Sequence, residues 1–265
     1  MELPIYQVDA FTDQLFKGNP AAVMPLDAWL DDALLQAIAM ENNLSETAYF
    51  VRADSGYDLR WFTPQVEVDL CGHATLAAAH VLFEHLDCDT NTLLFNTRSG
   101  TLRVHRDGAR LTLDFPANTL AAIDVDLTVC RALGATASEA LAPVGSSSAP
   151  LYVYEFEADV AQLRPDFAAL LASGIDKVIV CAPGDDCDVV SRFFAPGAGI
   201  NEDPVTGSAH CSLVPYWAGR LRKYKLQCRQ ISARGGELEC QLRDGRVLMT
   251  GSAVTFMQGI VQGVR

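Results

Sequence analysis

Lysine is scarce in this chain. Four of the 265 residues are Lys, and Lys plus Arg total 20 against 33 Asp plus Glu, a formal charge of −13. Nucleic acids and anionic membrane surfaces reward a basic stripe, so this balance argues against both as partners. A small anionic substrate stays possible, provided that local dipoles rather than the overall field hold it. Long apolar runs are absent too: none approaches the roughly 20 residues that a membrane helix needs. The opening Met1-Glu2-Leu3-Pro4-Ile5-Tyr6 has neither the basic n-region nor the apolar core of a secretory signal, so the expected address is cytoplasmic. No Cys-x-x-Cys pair occurs among the eight cysteines, at 71, 88, 130, 181, 187, 211, 228 and 240. In a cytosolic chain these are expected to be reduced, mostly buried thiols. No Cys/His group has the spacing of metal ligands, and neither metal nor cofactor is expected.

What remains is a globular composition. Apolar residues make up 49% and charged residues 20%, which excludes disorder, and the length suits one large domain or two lobes. Two stretches echo each other. Arg60-Trp61-Phe62-Thr63-Pro64 precedes Cys71-Gly72-His73-Ala74-Thr75 and a small apolar run. Arg192-Phe193-Phe194-Ala195-Pro196 precedes Asp203-Pro204-Val205-Thr206-Gly207-Ser208-Ala209-His210 and a similar run. The two Arg-x-Phe-x-Pro copies lie 132 positions apart, half the chain, and the Asp-Gly turns at 107–108 and 244–245 repeat at nearly the same offset. One supersecondary unit is used twice.

Periodicity and turn residues predict strands at 4–10, 21–24, 44–51, 57–63, 92–96, 101–106 and 110–115, with helices from Asp31 to about Asn42 and over 72–86. Gly18-Asn19-Pro20 reads as a turn, and residues 117–127 as a segment joining two lobes. The second half predicts strands at 150–156, 177–182, 188–194, 226–232, 237–242 and 246–250, with helices at 159–172 and 208–221. Gly145–Ser148 reads as a surface loop. The resulting division is 1–117 with central helix 72–86, and 118–265 with central helix 207–221, the last strand free to return to the first lobe.

Both central helices lack Asp, Glu, Lys and Arg, over 72–83 and 207–219. A surface helix shows a polar face, so these should be enclosed by curling sheets. Pro215 should kink or shorten the second. A buried helix start leaves N–H groups unpaired, and Gly72 and Gly207 let an anion approach them. Plain turn glycines are the competing reading.

Glu46 shares a strand face with Leu44, Ala48 and Phe50, where burial raises a carboxylate's pKa towards that of a useful general acid/base. An exposed strand-end glutamate is the alternative. Asp203 is either a helix cap or a site residue, and His73 either a core histidine or a proton donor. His80 and His85 read as structural, and His210 is open.

Together, Asp9-Ala10-Phe11-Thr12, Gly18-Asn19-Pro20-Ala21-Ala22-Val23, Asn43-Leu44-Ser45-Glu46-Thr47-Ala48 and the two echoed stretches resemble the PhzF-like phenazine-biosynthesis family. The resemblance implies the diaminopimelate epimerase-like fold: mixed α/β, two pseudo-symmetric lobes, each a curled mixed sheet around a buried helix. It places the site in the cleft between lobes, with Glu46 as acid/base, His73 and Asp203 as supporting catalytic residues, and Ser45, Gly72, Gly207 and Ser208 as substrate contacts. It implies a homodimer and a cofactor-independent isomerase that moves a proton within a small carboxylate-bearing substrate, as trans-2,3-dihydro-3-hydroxyanthranilate is isomerised in phenazine pathways. Cys71 stands where related epimerases place one of two catalytic cysteines. The second such place falls near Pro204, so a two-cysteine racemase is not supported. The competing functions are an epimerase pairing Glu46 with Asp203 or Cys71, a thiol enzyme using Cys71 and His73, and a non-catalytic binding protein.

Overall fold

The computed structural model describes residues 2–86, 88–145 and 148–263. It divides into two compact units. One runs through Asp114 and resumes at Thr250, and the other spans Phe115–Met249.

In the first unit, β1 (Leu3–Ala10) pairs antiparallel with β2 (Asn19–Leu26), Tyr6 opposite Val23. Asn19 therefore begins a strand and is not part of a turn. The turn is made before it by Gly18, whose φ of +63° and whose site, where a Cβ would lie 2.2 Å from the Ala10 carbonyl oxygen, admit no side chain. Helix α1 (Asp32–Asn42) crosses over to β3 (Glu46–Arg52), which lies parallel to β2 with Ala21 opposite Glu46. β4 (Tyr57–Phe62) is antiparallel to β3, and the short β5 (Glu67–Val68) folds back on it. After α2 (Gly72–His85) come β6 (Thr92–Thr97), β7 (Gly100–Asp107) and β8 (Arg110–Pro116), an antiparallel meander.

Residues 47–50 of β3 are buried on both faces because a helix covers each. Tyr49 faces α1 and its hydroxyl donates to the Leu35 carbonyl at 2.7 Å. Glu46, of opposite parity, faces α2. Eleven of the fourteen residues of α2 are buried, and it packs against β1, β2 and β3, as a helix without charge over residues 72–83 must.

The second unit holds β9 (Leu120–Ile123), α3 (Leu127–Leu133), β10 (Glu139–Pro143), β11 (Leu151–Val153), α4 (Glu157–Gln162), α5 (Phe167–Ala172), β12 (Val178–Pro183), β13 (Val189–Ala195), β14 (Ile200–Asp203), α6 (Gly207–Leu221), β15 (Lys225–Gln230), β16 (Gly236–Arg243) and β17 (Arg246–Gly251). β11–β12 and β13–β15 are parallel, and β12–β13 and β15–β16 antiparallel, so the sheet is mixed. Val129, Leu133, Val160, Leu170 and Phe194 fill one core beneath the three short helices.

Several expectations need correction. The 117–127 segment, just past the unit boundary at Asp114, is not plain coil but carries β9 and the first residue of α3. The single helix read at 159–172 is two, because Pro165 disfavours helical backbone at Arg164; α4 ends at Gln162, with Leu163 as its extended C-cap. Ser146 and Ser147 of the expected loop lie outside the described residues. The chain does not close at 250: β18 (Ala253–Val261) pairs with β1, with a bulge between Gln7 and Val8. Helix α6 runs on through Pro215. The proline cannot donate to the Cys211 carbonyl. That oxygen instead accepts from the Asn118 backbone N–H at 2.8 Å, while the Asn118 amide donates to Ser212 Oγ at 2.9 Å.

The sequence echo has a physical counterpart in each unit. Arg60 donates to both oxygens of Glu67 at 2.8 Å and lies 5.1 Å from the Phe62 ring centre. Arg192 makes the same fork on Glu202, at 2.7 and 2.9 Å, and lies 4.8 Å from the Phe194 ring.

Candidate active site

The N-terminus of α2 gathers three titratable groups of the first unit, Glu46, Cys71 and His73. Its N-cap, Cys71, has extended backbone, and no side chain caps the first turn. The Thr75 hydroxyl donates to the Cys71 carbonyl and fixes the turn. Glu46 enters from the first residue of β3, with its side chain 14% exposed, so this strand-end carboxylate is not out in solvent. Its Oε2 lies 3.1 Å from His73 Nε2, an ion-pair contact lying off the line of a straight hydrogen bond.

His73 is fully enclosed. Its Nδ1 meets the Asn19 amide nitrogen at 3.1 Å and Cys71 Sγ at 3.5 Å. An amide N–H donated to Nδ1 leaves the ring proton on Nε2, facing Glu46; a charged ring requires the amide turned with its oxygen inward. Burial works against the charged imidazole, but Cys71 and Glu46 outweigh it and raise the His73 pKa well above its usual value. At neutral pH the part of Glu46 is the larger. The Cys71 thiol is pushed up to about 11, by burial first and then by the Glu46 charge, and so keeps its proton. Ligating atoms of Glu46, Cys71 and His73 lie within 4.8 Å of one another.

Ser45 is half-buried just before β3, and Gly72 is buried at the first position of α2. His80 and His85 lie along the same helix, and both ring Nε2 atoms meet Thr255 Oγ1, at 2.9 and 2.8 Å, on β18.

In the second unit Asp203 ends β14 and is nearly buried, at 9% exposure. It is not the cap of α6; that position is Thr206, whose hydroxyl donates to Asp203 Oδ2. Gln230, fully buried on β15, braces the turn. It accepts from the Thr206 N–H at 2.8 Å and donates to the Asp203 carbonyl at 2.6 Å. Gly207 is buried and Ser208 half-buried at the start of the helix. Sequence reasoning assigned no role to Asn19, Thr206 or Gln230. Asn19 belonged to a quoted motif, whereas Gln230, on an ordinary alternating strand, carried no signal.

The family model for phenazine biosynthesis-like proteins matches residues 8–259, and the chain belongs to that family. It is 53% identical to an uncharacterized isomerase of Pseudomonas aeruginosa, over 99% of each chain. The crystal structure of a PhzF-family protein from Enterococcus faecalis superposes with a TM-score of 0.94 at 46% identity, covering 98% of this chain and 99% of that one. A predicted epimerase from Pseudomonas aeruginosa shares the fold, with a TM-score of 0.78 at 21% identity, over 99% and 100% of the chains.

Proposed function

We propose that the chain is a cofactor-independent isomerase that moves a proton within a small, carboxylate-bearing, cyclic or unsaturated substrate, with Glu46 as the general acid/base. The carrying observation is the carboxylate of Glu46 held 3.1 Å from His73 at the uncapped start of a buried helix. Glu46 takes the proton from a substrate carbon, the electron pair delocalises into the adjoining unsaturation, and the conjugate acid returns the proton to a second carbon. His73 orients Glu46 and compensates its charge. The first-turn N–H groups at Gly72 favour the substrate's carboxylate and the negative charge that develops on it, and Ser45 is a further contact that the family resemblance carries.

Asp203 as supporting polar residue, with Gly207 and Ser208 as donors, is the assignment that the family resemblance carries. The bracing of the Asp203–Thr206 turn by Gln230 is consistent with it. The isomerase naming of relatives supports the reaction class, and trans-2,3-dihydro-3-hydroxyanthranilate is the first substrate to try. A homodimer and a cytoplasmic location are part of the same proposal.

An epimerase using Glu46 and Cys71 as opposed bases fits less well. A carbon about 3–3.5 Å from each, on opposite faces, needs them roughly 6–7 Å apart. Their ligating atoms lie within 4.8 Å. The test is incubation in heavy water with trans-2,3-dihydro-3-hydroxyanthranilate and with carboxylates that co-purify with the chain. Deuterium incorporation with double-bond migration supports the isomerase, and inversion at a stereocentre rejects it. Binding without exchange would make the protein a non-catalytic binder.

A further inference from the structure

A second group of enclosed donors lies in the other unit. Cys228 on β15 and Cys240 on β16 sit diagonally on paired strands, where Cys228 is opposite Leu238 and Leu226 opposite Cys240. Helix α6 packs on the same strands and contributes His210 from its first turn. All three residues are buried, His210 and Cys240 completely and Cys228 to 3% exposure. One ligating atom from each lies within 4.8 Å of the others. The ring orientation is set: His210 Nδ1 donates to the Thr206 carbonyl at 2.9 Å, which leaves a lone pair on Nε2. That Nε2 is buried and has no hydrogen-bond partner among the described residues. A backbone carbonyl on one imidazole nitrogen is the usual support for a metal on the other.

We propose that His210 Nε2, Cys228 Sγ and Cys240 Sγ bind one soft d10 cation, Zn(II) or Cu(I). Thiolate sulfur and imidazole nitrogen select these ions, and two thiolates neutralise a divalent one, which a dry core favours. Metal–ligand bonds of about 2.0–2.3 Å bring donors to roughly 3.5–3.8 Å from each other, so from separations within 4.8 Å the cluster closes by no more than about 1.3 Å. The imidazole offers its Nε2 lone pair and the two sulfurs bind as thiolates. Binding breaks two S–H bonds, forms two metal–sulfur bonds and one metal–nitrogen bond, and releases two protons with no transfer of electrons. The ion would tie the first turn of α6 to the β15–β16 hairpin and so stiffen the Asp203–Ser208 turn. Three elements supply the donors, and for that reason no ligand spacing is visible in the sequence.

The full chain, produced in zinc- or copper-supplemented medium and purified without chelator, is assayed for metal by mass spectrometry. It is then stripped and titrated with Zn(II) or with Cu(I) in weak buffer. The expected result is about one ion per chain with about two protons released per ion. Affinity should fall at least about 100-fold in Cys228→Ser, Cys240→Ser and His210→Gln, and stay unchanged in Cys211→Ser. The ion retained against a competing chelator tells zinc from copper. If the ligand variants fail to fold, the wild type decides: bound metal should shield Cys228 and Cys240, but not Cys130, from alkylation in mild denaturant. Metal content equal in all variants, alkylation indifferent to metal, or a Cys228–Cys240 disulfide in the purified chain would overturn the proposal.

Discussion

Cys71 touches the proposed catalytic pair, yet burial and the Glu46 charge hold its thiol protonated at neutral pH. A thiol enzyme needs the thiolate. A thiol alkylator applied to the native protein should therefore leave proton exchange intact, and Cys71→Ser should keep more than about a tenth of it. Abolition by either treatment would move the chemistry from Glu46 to Cys71. His80 gives a different signature. Burial, its largest influence, lowers its pKa from 6.5 to about 4. Below pH 6.5 the unfolded chain takes a proton that the folded chain refuses, so stability is complete above that pH and is lost as pH falls towards 4. The loss is on the order of 3 kcal/mol. Denaturant unfolding at pH 4.5 and 7 should show a difference smaller by about 3 kcal/mol in His80→Gln than in the wild type, the remainder including the parallel loss from His210, whose pKa burial also lowers to about 4. Equal pH dependence in both would contradict the assignment. Among single residues, Glu46 and His73 stood out as candidates because a charge on a short strand and an imidazole in a helix start without charges are conspicuous, while their proposed roles came from the family resemblance. Asn19 and Gln230 were not, because their roles lie in partners 54 and 24 positions away, His73 and Thr206.

Helix α6 shows how an element can break a local rule and satisfy it from outside. Pro215 costs a helix interior about 3 kcal/mol relative to Ala in an isolated segment. Here the orphaned Cys211 carbonyl already has the Asn118 N–H. Pro215→Ala should accordingly change stability by less than about 1 kcal/mol in chemical denaturation, since its new N–H meets an occupied carbonyl. A gain near the full propensity difference would show that Asn118 contributes nothing. The two buried helices could be read from composition alone, as could the strands with clear alternation. β9, α3 and β10 could not: Leu120–Ile123 and Glu139–Pro143 are short and Ala-rich without clear polar alternation, and α3 has only seven residues, about two turns. β18 was missed because residues 256–258 are exposed in succession and its outline does not alternate.

For the molecule as a whole, that last strand matters more than its sequence signal suggests. β1 lies between β2 and β18, so both its edges are paired. Removing residues 253–261 opens one edge along the length of a buried strand. The shortened chain should lose cooperative thermal unfolding and turn aggregation-prone, and an unchanged melting temperature would contradict this pairing. The repeated Arg–Glu fork, Arg60 on Glu67 and Arg192 on Glu202, is the plainest trace of duplication, and the half-chain echo foretold it without revealing its geometry. Net charge, by contrast, argued against nucleic-acid and anionic-membrane partners and informed neither the fold nor the chemistry.

The most direct measurement compares wild type with Glu46→Gln in heavy water, on trans-2,3-dihydro-3-hydroxyanthranilate and on the co-purifying carboxylates, with binding measured alongside. The account predicts that binding persists while deuterium exchange falls by about 10²–10⁴-fold. Exchange at the wild-type rate in Glu46→Gln would contradict it.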